Sequence, residues 1–177
     1  MNVAPHDDLS KSELVVRFTH PTLGKFEKAI KLSDLPVNPE TMEDMLWTIE
    51  QMIKRKQWAD AAKKFPVLLK RFPDDPNVLF SYARFLATCD EKSYQDFPKA
   101  VEIAQKALEN LGNWEDLEDD GIPMVRGVVL DTLAIALHGA GKLKEAAEKA
   151  EEAAKLVPDN EAIAERAKSY RKDAEQK

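Results

Sequence analysis

Few residues in this chain could do chemistry, and they stand apart. DLEDDG, residues 116–121, places carboxylates as the opening of a calcium loop does. The match then fails: Glu118 sits where Asp or Asn belongs, Pro123 where an apolar residue packs, and Gly127 where a bidentate Glu must close the loop. A solvated acidic loop is the expectation. Asp131 interrupts an apolar run and calls for an ion pair, with Arg84 or Arg126 as candidates. His138 stands at a helix end beside Gly139, where the dipole favours a cation. His6 and His20 are far from it, with no metal-ligand spacing. Cys89 is the single cysteine, and its neighbour Asp90 raises a thiol pKa rather than lowering it. No glycine-rich phosphate loop and no nucleophile elbow is present. The reading is therefore no enzyme, no metal and no cofactor.

The bulk properties agree. With 177 residues the chain is long enough for a real core, and 33% charged residues with only 6 glycines disfavour a turn-dense β fold. A net charge of −6 disfavours a nucleic-acid partner, which needs a basic footprint. The start, MNVAPHDD, lacks a secretory signal pattern, and no uninterrupted run of about 18 apolar residues is seen. A cytoplasmic protein with no membrane partner is the expectation.

The elements that must position these residues are helices. LDTLAIALHGAGKLKEAAEKAEEAAKLVP, residues 130–158, carries helical spacing on both sides of Gly139 and Gly141, so it reads as two antiparallel helices joined by a short turn. Leu130, Leu133, Ala134 and Leu137 line the first; Leu143, Ala146, Ala150 and Ala153 line the second, and Pro158 ends it. An earlier copy occupies residues 42–73. Met45, Ile49 and Met52 precede Trp58, Ala61, Phe65 and Leu68, with Lys56 where the turn glycine would stand and Pro66 inside the second helix. The apolar spacing continues through Leu69, so Pro66 predicts a kink rather than an end. A middle copy begins at PNVLFSYARFLATCD and resumes, after an inserted EKSYQ stretch, at FPKAVEIAQKALENL, with Asp96 as N-cap and Pro98 in the first turn.

This pattern resembles the tetratricopeptide repeat, a helix-turn-helix of about 34 residues with the signature W-x2-L-G-x2-Y, A-x3-F and a closing P. Leu130, the Leu133–Ala134 pair, Leu137, Ala146, Ala150 and Pro158 fill its places. The resemblance implies an all-α, right-handed superhelix of three repeats, about 42–75, 76–114 and 127–158. A capping helix follows at 160–175, with Ile163, Ala167, Tyr170 and Ala174 on its covering stripe. Residues 41–177 form that domain. Residues 1–40 are an N-terminal extension with a β-hairpin expected over 14–32, where Leu14, Val16 and Phe18 share one face of their strand, as do Phe26, Ile30 and Leu32 of theirs. Residues 76–158 also resemble the repeat tails of bacterial thioredoxin-like proteins, although no Cys-x-x-Cys accompanies them.

A function follows from the family's groove, which the first helix of each repeat lines. Leu46, Glu50 and Ile53, then Asn77, Phe80 and Arg84, then Asp131, Ile135 and His138 face away from the core by register. The implied function is a protein-interaction module with Leu46, Phe80 and Ile135 as apolar anchors, oriented by Arg84 and Asp131. Repeats that clamp a chaperone's terminal carboxylate use Lys, Asn and Arg here. This chain has Leu46, Glu50, Ser81, Val128 and Thr132 at the matching places, so such a tail is disfavoured. Two alternatives are a domain of a larger redox or repeat protein that positions a catalytic partner, and a homodimer paired through the hairpin.

Overall fold

A computed structural model describes residues 13–20, 24–31, 41–111 and 121–176. The backbone contact pattern divides the chain between Glu40 and Thr41 into two units, each described by itself. In the first, strands β1 (Glu13–His20) and β2 (Gly24–Lys31) pair antiparallel, from Glu13↔Lys31 to His20↔Gly24. His6 and residues 112–120, which hold most of the acidic loop, lie outside the described residues.

The second unit is helical: α1 (Met42–Lys54), α2 (Trp58–Arg71), α3 (Pro76–Thr88), α4 (Phe97–Asn110), α5 (Ile122–Gly139), α6 (Leu143–Leu156) and α7 (Glu161–Glu175). Polar side chains start four of these helices. Thr41 forms a reciprocal capping box with Asp44 ahead of α1, and Asp75 accepts from the Asn77 and Val78 amides at α3. Asp96 accepts from the Lys99 amide at α4, and Asn160 from the Ile163 amide at α7. The α2 helix runs through Pro66 without ending, consistent with the apolar spacing that spans it.

The turns of the outer two repeats are built alike. At the end of α5, the Gly141 amide donates to His138 O and the Lys142 amide to Leu137 O. At the end of α1, Lys56 donates to Ile53 O and Gln57 to Met52 O. Both are Schellman caps, which need a left-handed residue just past the helix end, where the inner bond's donor stands: Gly141 has φ +80° and Lys56 has φ +58°. The lysine therefore keeps the glycine's backbone conformation and carries its steric cost.

The main core runs through α1 to α6, with Ile49, Phe65, Leu68, Leu79, Leu133 and Leu137 among its buried side chains. Small residues let the helices close together. A Cβ on Gly139 would lie 2.4 Å from the Phe97 ring, so α4 and α5 approach closely there only because residue 139 has no side chain. The expectation that no segment could span a bilayer needs correction: α5 is long and apolar enough by length and composition. Its apolar surface is instead taken up inside the unit, where it packs against α3, α4 and α6 and buries Leu130, Leu133, Ala134 and Leu137.

Candidate functional site

Helices α1 and α3 are the first helices of neighbouring repeats, and a cavity of about 560 Å³ lies between them. Its apolar wall begins with Ile49, Phe65 and Phe85, which are buried in the core. Leu46, Ile53 and Phe80 stand in front of these, half-buried, each packed against the core on one side and open to the cavity on the other. Their places follow from helical spacing. On α1 the core takes Met45, Ile49 and Met52, so Leu46, Glu50 and Ile53 turn about a quarter of the way round. On α3 the core takes Leu79, Tyr82, Ala83 and Leu86, which leaves Phe80 and Arg84 toward the cavity.

Polar groups ring this apolar surface: Glu50, Lys54 and Lys56 from the α1 side, and Ser81, Arg84, Thr88 and Asp90 from the α3 side. Cys89 also lines it. Burial pushes the Cys89 thiol up, a backbone hydrogen bond at Glu91 offsets part of that, and the charges of Asp90 and Glu91 add to it, so the environment disfavours the thiolate.

Five of the nine candidate residues thus meet in one place: Leu46, Glu50, Ile53, Phe80 and Arg84. Asn77 lies at the start of α3 and does not line the cavity. The three from α5 are elsewhere. Ile135 is half-buried against the core. Asp131 is gripped by both carboxylate oxygens by Arg166 of α7. This corrects the expected partner: neither Arg84 nor Arg126 makes that bond, and Arg84 acts on Asp131 only through its charge. His138 stacks on Tyr170 at 4.1 Å and 7°, with Nε2 3.0 Å from Asp173 Oδ2. The α5 positions Asp131 and His138 are therefore held by the capping helix, while the α1 and α3 positions line the cavity.

The sequence reading missed Trp58, Lys54, Lys56, Thr88 and Asp90, which come from helix ends and from a second helix. A first-helix register does not reach them. For Lys56 alone a signal existed, the lysine in place of the turn glycine.

Comparison with solved structures gives the scaffold a context. The C-terminal TPR-containing domain of a Plasmodium falciparum protein described as FK506-binding matches with 26% identity and a TM-score of 0.55, covering 77% of this chain and 91% of that one. The first TPR of Spaghetti (RPAP3), bound to the HSP90 peptide SRMEEVD, matches with 13% identity and a TM-score of 0.59, covering 79% of this chain and 98% of that one. Neither bears on the narrower resemblance to thioredoxin-like tails. No protein-family model and no curated protein sequence matches the chain.

Proposed function

Taking the helical unit as a tetratricopeptide-repeat solenoid, we propose that this protein is a non-enzymatic interaction module that binds a short segment of a partner protein on its concave face, between α1 and α3. The observation that carries this is the cavity itself. Half-buried Leu46, Ile53 and Phe80 face it together over a buried apolar floor, inside a ring of charged and hydroxyl side chains. Apolar anchoring with a polar rim is how such grooves hold peptides.

The RPAP3 repeat holds a peptide ending in EEVD. Glu50 and Asp90 share the cavity wall with Lys54, Lys56 and Arg84, so the rim is mixed in charge rather than a dedicated carboxylate clamp. An internal segment with one bulky apolar side chain fits better. Panning a displayed peptide library against the full chain tests this, beside a Leu46→Glu/Phe80→Glu variant whose helicity is checked by circular dichroism. Enrichment of peptides that the folded variant loses supports the reading. No enrichment, or equal enrichment on both proteins, sinks it.

A second reading has its own observation. The β1–β2 pair is a two-stranded sheet with no third strand among the described residues, so its outer edges are open to pairing with a second copy. Elution mass in solution tests that dimer.

A further inference from the structure

The second helices of the repeats are not alike in charge. Within its helical span, α4 carries two cations and two anions, α6 three and four, and α7 (in the position of a further first helix) four of each. These helices largely neutralise themselves, through pairs such as Lys149–Glu152 and Arg171–Glu175. Helix α2 carries Lys63, Lys64, Lys70 and Arg71 against a single acid within its span, Asp60. Lys54, Arg55 and Lys56 precede it directly. This basic stretch belongs to a chain whose net charge is −6.

Helical spacing gathers these charges around one apolar residue. Val67 is 54% exposed. Lys63 and Lys64 lie four and three residues before it, and Lys70 and Arg71 three and four after, so all four border it on the helix surface. Arg71 also reaches Met45 Sδ and lies over the Phe72 ring. Lys63 pairs with Asp60 at 4.0 Å. Helix α2 spans about 21 Å.

We propose that the outer face of α2 is a docking surface for an anionic lipid bilayer. Val67 would enter the headgroup boundary, with Lys63, Lys64 and Lys70 on acidic headgroups. Charge complementarity names the sign of the partner. An apolar centre ringed by long cationic side chains is the arrangement of a helix lying on a membrane surface, with charged heads reaching the headgroups and stems on the acyl boundary. Such docking needs no spanning segment.

Co-sedimentation of the full chain with vesicles tests the proposal. Vesicles of phosphatidylcholine alone are compared with vesicles containing 30% phosphatidylserine, in about 0.1 M and about 0.5 M NaCl. The expected result is sedimentation with the anionic vesicles only, released at high salt. Lys63→Glu/Lys70→Glu should lower the partition about tenfold or more, since each surface cation contributes about 1 kcal/mol. Val67→Ser should lower it without a change of net charge. A control, Lys144→Glu/Lys168→Glu, makes the same charge change on α6 and α7, and circular dichroism confirms that every variant is folded. Failure to sediment at low salt overturns the proposal. So does an equal loss in the control, which would mean net charge alone acts. Tighter binding to single-stranded DNA than to the vesicles would also overturn it, in favour of a nucleic-acid surface.

Discussion

Asp131 sits in an otherwise apolar helix, and burial raises its carboxyl above the ordinary 3.8, while the hydrogen bonds and charge of Arg166, and the charge of Arg84, pull it down. The folded chain thus holds this proton more tightly than the unfolded one. Its contribution to stability is full below pH 3.8 and is lost as pH rises through the raised folded value. Arg166 is what makes the ionised form tolerable at neutral pH. Replacing it, as in Arg166→Met, leaves a largely buried carboxylate without its partner and should cost about 1–3 kcal/mol at pH 7. The cost should be smaller at pH 4.5 than at pH 7, because the variant's carboxyl, raised further, takes up more of its proton there and needs the cation less. Urea denaturation at both pH values checks this; an equal loss at both would mean the arginine acts by packing alone. Cys89 gives a simpler test. At 4% exposure and with a raised thiol pKa, it should react with Ellman's reagent only after denaturant is added. The need for an ion pair at Asp131 was legible in sequence, since a lone carboxylate in an apolar helix must be matched. The partner was not legible: Arg166 lies 35 residues away on a helix whose charges read as a solvated face, and only tertiary packing brings it near.

At the scale of elements, the two Schellman turns offer a matched pair of experiments. Gly141 has open space where a Cβ would stand, so Gly141→Ala changes backbone preference and little else. It should destabilise by about 1 kcal/mol. Lys56 occupies the same kind of position with a side chain, and Lys56→Gly should stabilise by about 0.5–1 kcal/mol, the left-handed cost outweighing the added freedom of the unfolded chain. Thermal melts of the two variants should shift in opposite directions. Gly139 is a different case, because its constraint is contact and not conformation. Gly139→Ala places a methyl group into the Phe97 ring and should destabilise by about 1–3 kcal/mol. Adding Phe97→Leu should recover part of that loss; no recovery would mean the ring is not the obstacle. The glycines and their helix break could be read directly from sequence, as could Asp96 at the start of α4. The role of Lys56 could not, because the residue type gives no sign of positive φ and only its alignment with Gly141 points there.

Across the helical unit, burial is graded from the middle outward. Helices α3 and α5 each bury eight residues, while α1 and α7 each bury two. That grading follows from stacking: an inner helix is covered on both sides, an end helix on one. The repeat period showed this order, but the groove is less uniform than a repeat implies. The capping helix engages Asp131 and His138. Leu46, Ile53 and Phe80 instead line the cavity between α1 and α3, so equivalent register positions have unequal surroundings. Opening free energy should follow burial, and amide exchange reads it position by position. Amides of α1 and α7 should exchange about tenfold or more faster than those of α3 and α5, equivalent to about 1.4 kcal/mol or more of local opening free energy. A peptide bound between α1 and α3 ties the weakly packed α1 to the strongly packed α3. It should therefore slow exchange in α1 most, in α3 less, and in α7 not at all. Uniform slowing along all seven helices would instead place the ligand across the whole stack, and slowing confined to α7 would move the site to the other end.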